Sequence, residues 1–209
     1  LDVADELPDE FLKLLYDRVK EINPDAYVLG EVWEDASNKM AYGQRRKYFT
    51  NAELDSVMNY PFFESLQTFW VDEKATSRDF MYAMNRVYSL YPEQVNRVLF
   101  NHLDTHDTMR VLTRCGSLDT FYHQQAVLMT MPGTVCIYYG TEIAMDGGYD
   151  PDCRKTMPWD DVEKGKFAAH QDFTKALIAL RKTYPQLREL FDKAHRLYPK
   201  IDPQARFNE

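Results

Sequence analysis

The 209-residue sequence is short of cysteine, of glycine and of long apolar runs, and each shortage removes a class of protein. Its three cysteines, Cys115, Cys136 and Cys153, are widely spaced and form no CxxC pair, which argues against a zinc site. Reduced thiols suit a cytoplasmic location, which is expected here. The eight glycines build no Gly-rich phosphate cradle, so Mg-dependent phosphoryl chemistry lacks its usual support. No apolar stretch approaches the roughly 20 residues that span a bilayer, and no signal peptide opens the chain, so no membrane association is expected. Basic residues are outnumbered, 25 against 33 acids, for a net charge of -8; nucleic acid is therefore not an expected partner. The first residue is Leu1 rather than Met, inside what reads as a strand end, so the natural N-terminus is expected to lie elsewhere. What is present is ample core: 44% hydrophobic and 14% aromatic residues predict a packed globular protein.

The chain alternates strands and helices. Pro8-Asp9-Glu10 opens a helix with Phe11, Leu15, Val19 and Ile22 at helical spacing. Ala26–Gly30 reads as a buried strand and Leu54–Met58 as a short one, the segment between them being polar and charged. Phe62, Leu66 and Phe69 mark a helix. Thr76-Ser77-Arg78-Asp79 reads as the capped start of another, carrying Phe80, Met84, Val87 and Tyr91. Val98-Leu99-Phe100 is a strand, followed by a helix with Tyr122, Ala126 and Met129 on one face. Thr134–Tyr139 is a β-branched and aromatic strand, residues 141–166 a long loop, and Phe173, Leu177, Leu180 and Tyr184 a last amphipathic helix. Such alternation predicts an α/β fold with a parallel sheet, in which chemistry gathers at the carboxyl ends of strands.

Acids stand at those ends. Asp2, Glu31 and Asp107 each follow an apolar strand and would converge on one rim if the sheet curled into a barrel. Close carboxylates cannot all ionise cheaply, so one holds its proton. A protonated acid beside an ionised one is what glycoside hydrolysis requires. Metal binding is the rival use of such a cluster. The stretch Asn101-His102-Leu103-Asp104-Thr105-His106-Asp107 has a plainer reading too, as a strand end whose Asp104 or Asp107 caps the next helix.

Four motifs carry a family resemblance: Leu1-Asp2-Val3-Ala4, Gly30-Glu31-Val32-Trp33, Thr105-His106-Asp107-Thr108, and Tyr138–Glu142 continuing to Asp146–Lys155. Together they resemble the α-amylase family, glycoside hydrolase family 13. The last is similar more narrowly to the neopullulanase, cyclomaltodextrinase and maltogenic amylase subgroup. The resemblance spans roughly residues 1–182. It implies a partial (β/α)8 TIM barrel, from the end of strand 4 to strand 8, with residues 1–184 as the C-terminal half of a catalytic barrel and 185–209 as a tail. It implies a retaining α-glucan hydrolase acting on α-1,4 or α-1,6 bonds of cyclodextrins, pullulan or maltooligosaccharides. Asp2 would be the nucleophile, Glu31 the general acid and then base, and Asp107 the stabiliser of the oxocarbenium-like transition state. His106 would bond a hydroxyl of the same sugar, Asp150 and Arg154 would grip a neighbouring glucose, and Trp33 and Val3 would contact substrate. No metal and no cofactor is implied for these residues; calcium, where the family uses it, belongs to an insert domain outside them.

Plainer roles stand beside these. Trp33 could cap the core, Asp150 and Arg154 could be a surface ion pair, and His102 reads as packing inside. His123, His170 and His195 read as surface residues, and Asp55 and Glu142 as structural. The sequence also departs from the subgroup. Asp5 stands where Asn is usual and Glu34 where His is usual, and the arginine normally two residues before the nucleophile would precede Leu1. The 209 residues alone are therefore expected to be inactive, and to self-associate through unpaired sheet edges or to fold only marginally. The alternative is a non-catalytic carbohydrate-binding or interaction module derived from such an enzyme.

Overall fold

The computed structural model describes residues 1–72 and 75–187; the expected tail beyond 187, His195 included, lies outside the described residues. The elements run α1 (Asp9–Ile22), β1 (Leu29–Gly30), β2 (Met40–Ala41), β3 (Gln44–Arg45), β4 (Ser56–Val57), α2 (Tyr60–Trp70), α3 (Ser77–Ser89), α4 (Glu93–Asn96), β5 (Phe100–Asn101), α5 (Val111–Cys115), α6 (Leu118–Thr130), β6 (Thr134–Val135), α7 (Trp159–Glu163) and α8 (Ala168–Thr183).

The parallel strands pair in sequence order. Leu1 donates its N–H to Leu29 O at 2.6 Å, and Glu31 N–H returns to Leu1 O at 2.9 Å. β1 pairs with β4, Met58 bridges to Phe100, and β5 pairs with β6. Helices make the crossovers except that from β1 to β4, which carries the β2–β3 hairpin instead, and side-by-side parallel strands in chain order form the wall of a (β/α) barrel. Buried Val28, Val57, Leu99 and Leu103 from the strand regions pack with Leu12, Leu66, Val87 and Leu128 from the helices. Buried Asn59 and Asn101 tie the strand ends together: Asn59 Nδ2 donates to Asn101 Oδ1 (2.7 Å), and Asn101 Nδ2 to Pro132 O (2.6 Å).

The regular strands are shorter than the apolar runs predict, and side chains explain why. The Val28 N–H is taken at 2.7 Å by the Asp55 carboxylate, which also receives Tyr16 OH and the Lys20 ammonium. Asp55 is thus structural. Beyond β6, Tyr138 and Tyr139 turn onto the Arg110 guanidinium, 4.0 and 4.7 Å from the ring centroids. On α1 the inward face is Leu12, Leu15, Tyr16 and Val19; Phe11 and Ile22, predicted on it, are exposed. On α8 the same correction removes Leu180 and Tyr184. The predicted start of α3 has a full capping box, Thr76 with Asp79. The charged segment after β1 folds into the hairpin β2–β3, which periodicity could not reveal because two-residue strands carry none. The loop over 141–166 contains the short helix α7.

Candidate active site

Because the strands are parallel, Asp2, Glu31 and the Asp107 loop all leave at one end of the sheet. Leu1, Asp2, Leu29, Glu31, Met58 and His106 line a pocket of about 350 Å3 there. A larger pocket of about 570 Å3, lined by Tyr16, Tyr27, Phe49 and the segments that enter the strands, carries no comparable chemistry.

Glu31 is the centre of the site. It is 6% exposed, its Oε2 accepts the Val3 N–H at 3.3 Å, and its Oε1 is buried without a partner among the described residues. Val3 has φ +44°, an uncommon conformation for a β-branched residue, and it is the Val3 amide that meets this carboxylate. Burial raises the Glu31 pKa above the ordinary carboxylate value. The Val3 N–H opposes that rise, while the adjacent Asp2 carboxyl and the charge on Asp107 add to it. The three acids are therefore within electrostatic reach of one another.

Asp107 is held on both oxygens. Arg154 Nη2 meets Oδ1 at 2.7 Å and His106 Nε2 meets Oδ2 at 3.1 Å. Arg154 also pairs through Nε with Asp150 Oδ1 at 2.9 Å, so the Asp150–Arg154 pair is tied directly to Asp107. Asp104, not Asp107, takes the capping role. It is 2% exposed and accepts from Val111 N (3.0 Å) at the start of α5 and from Thr141 Oγ1 (2.8 Å). Trp33 is 45% exposed and lies flat on buried Tyr60, ring centroids 4.6 Å apart; one face is packed and the other is open to the rim.

His102 packs, fully buried, against Tyr60 and Phe63, and neither ring nitrogen has a partner among the described residues. Burial and the Arg114 cation push its pKa down to about 3. A histidine depressed in the folded state contributes stability above its unfolded value near 6.5, and that contribution is lost as pH falls toward 3. The stability of wild type relative to His102→Phe should therefore fall on acidification, read by urea unfolding at several pH values. A difference constant from pH 7 to 4 would refute the buried neutral state. His123 is exposed as predicted, whereas His170 is half-buried and shares a 2.5 Å hydrogen bond with Tyr122.

Two contributors escaped the sequence. Tyr60 follows a strand end as Asp2 and Glu31 do, and that position was its signal; burial and the Glu31 charge raise its pKa. Arg110, 0% exposed, donates to Cys153 O (2.8 Å) and Tyr139 O (2.6 Å), pinning the segment that delivers Arg154. Among the described residues no three His, Cys, Asp or Glu side chains are grouped to hold a metal ion.

Parallel strands in barrel order, with carboxyl groups clustered at their C-terminal ends, define the catalytic face of a (β/α) barrel. The family model described as "Alpha amylase, catalytic domain" matches residues 7–197, and the chain belongs to the α-amylase family. The match continues past residue 182, where the resemblance of the motifs stopped. A cyclomaltodextrinase from a Bacillus species is 40% identical over 192 residues, 90% of this chain and 32% of that protein. Neopullulanase 2 of Thermoactinomyces vulgaris is 40% identical over 182 residues, 87% of this chain and 29% of its own length. A solved cyclomaltodextrinase superposes with TM-score 0.76 at 37% identity, over 89% of this chain and 30% of that one. The chain thus spans about a third of the length of the curated relatives it matches, and its fold is the partial TIM barrel that the motifs imply.

Proposed function

We propose that this chain supplies the catalytic carboxylates of a retaining α-glucan hydrolase. The observation that carries the reading is the buried Glu31 carboxyl, its pKa raised beside Asp2 and Asp107 at strand ends on the same rim. Protonated Glu31 donates to the glycosidic oxygen while the Asp2 carboxylate attacks the anomeric carbon, giving a glycosyl ester. Ionised Glu31 then takes a proton from water, which displaces Asp2 and retains the configuration. Asp107, fixed by Arg154 and His106, offsets positive charge on the ring. Trp33 lends its open face, Val3 lies beside Glu31 on the rim, and Asp150 with Arg154 borders the next glucose. Substrates are cyclodextrins, pullulan or maltooligosaccharides, in keeping with the relatives' names. The location is cytoplasmic; no described helix is long and apolar enough to cross a membrane.

The test is covalent trapping. A fluorinated α-glucosyl fluoride given to the protein carrying this sequence should label the peptide containing Asp2, seen as a mass increase equal to one fluoroglucosyl group. Labelling elsewhere, or inversion of configuration in the product, would remove Asp2 from the nucleophile's role.

The 209 residues in isolation are proposed to be inactive and to self-associate. β6 has one strand partner among the described residues and the Leu1 strand end likewise, and unpaired edges recruit other strands. Sedimentation should give a species heavier than 24.6 kDa; a monomer that hydrolyses cyclodextrin would overturn both statements.

A further inference from the structure

The hairpin β2–β3 lies between the loop that follows Asp2 and the loop that follows Glu31. Its turn, Tyr42-Gly43, has positive φ at both residues (+54° and +75°), the tight form that matches strand twist. At its base Arg46 N–H bonds Lys39 O at 2.9 Å, so Lys39 and Arg46 stand side by side. Arg46 anchors the hairpin to the Asp2 side. Its buried guanidinium reaches Asp9 (2.5 Å), Asp5 O (2.6 Å) and Leu7 O. Tyr42 OH adds bonds to Glu6 O and Oε2, both 3.0 Å. From this fixed base Lys39, its side chain 16% exposed, extends its ammonium to Asp5 Oδ2 at 3.4 Å and to Glu34 Oε1. Asp5 lies three residues after Asp2, and Glu34 three residues after Glu31.

We infer that Lys39 is a positioning residue: it clasps the two loops three residues past Asp2 and three residues past Glu31 and so fixes how closely those two carboxyls approach. The inference rests on the reading of Asp2 and Glu31 as the reacting pair. With the Glu34 side chain open to solvent, the Lys39–Glu34 pair is worth little as stability. Its consequence lies in geometry, because Lys39 is itself sheltered and joined to both loops, and small changes in the placement of reacting groups carry large costs.

The test reads the ionisation of Glu31 directly, by carboxyl carbon NMR of the labelled chain, and needs no turnover. It therefore stands whether or not the hydrolase reading does. The groups facing Glu31 are Asp2, Asp107, His106 and Tyr60. Removing the Lys39 cation, taken alone, would move the Glu31 midpoint up, since a nearby cation favours the ionised form. Releasing the clasp lets Asp2 move away and moves the midpoint down. Lys39→Met is expected to lower it by about half a pH unit or more, and Lys39→Arg to keep the wild-type value. If Lys39→Met fails to fold, Lys39→Gln is read in its place with the same expectation. A midpoint that stays or rises, or one that Lys39→Arg also lowers, overturns the inference.

Discussion

In the protein carrying this sequence, on the hydrolase reading proposed above, Glu31→Gln is expected to lower α-glucan turnover by about 10²–10⁴-fold and to raise the temperature of unfolding at neutral pH. The two effects share one cause. Glu31 is buried beside Asp2 and Asp107, so its carboxyl binds a proton more tightly folded than unfolded. Its contribution to stability is greatest below the ordinary carboxylate range and is lost as pH rises through the elevated pKa. At neutral pH the folded state bears the cost of a charge in a site that disfavours charge. Glutamine keeps the shape and can accept the Val3 N–H through its carbonyl oxygen, but it has no proton to give the leaving oxygen. Binding of maltooligosaccharide should survive, because the sugar-contacting groups are untouched. Turnover by a substrate whose leaving group needs no protonation should be impaired least in the first step. Unchanged turnover would dismiss the acid assignment; an unfolding temperature that falls at pH 7 and rises at pH 4 would invert the electrostatic account.

Arg110→Ala is expected to cost about 3–5 kcal/mol of stability, because truncating a buried cation leaves its acceptors desolvated and unpaired. Those acceptors are Cys153 O and Tyr139 O, and the guanidinium also sits against the Tyr138 and Tyr139 rings. Arg110→Lys should recover only part of the loss, since an ammonium cannot reproduce the planar fork. The local effect should exceed the global one: the segment carrying Asp150 and Arg154 loses its anchor, and trypsin should cut after Arg154 or Lys155 well below the unfolding temperature. Full recovery by lysine, or trypsin resistance in the alanine variant, would show that the segment is held by other contacts.

The residues differ in how legible they were. Glu31 is legible because it ends the apolar run Ala26–Gly30 abruptly, and Asp2 and Asp107 because they follow Leu1 and the Val98–Phe100 run into polar sequence; strand direction sends such residues to one rim. Thr76 and Asp79 announced a helix start because capping is chemistry between residues three apart. The faces of α1 and α8 were misjudged at Phe11, Ile22, Leu180 and Tyr184, since periodicity marks a stripe but not how far a neighbouring element extends over it. Tyr60 lies in Asn59-Tyr60-Pro61, which also reads as a helix entry, and Arg110 lies just past the histidine-aspartate motif, with partners at Tyr139 and Cys153 that no local pattern names.

The sequence by itself determined the main strands and helices, though not the β2–β3 hairpin or α7, the family, and which strand ends carry acids, because these are written in short local patterns and in the one-way direction of parallel strands. Only the tertiary structure decided which aspartate of the His102–Asp107 stretch caps a helix and which serves the site. It alone showed that Arg154 grips Asp107 as well as Asp150, and that Lys39 spans the two loops. The contacts of Asp104 with Thr141, Arg154 with Asp107 and Lys39 with Asp5 join residues 30 or more positions apart, and no periodicity or spacing encodes a partner that only the folded chain brings near.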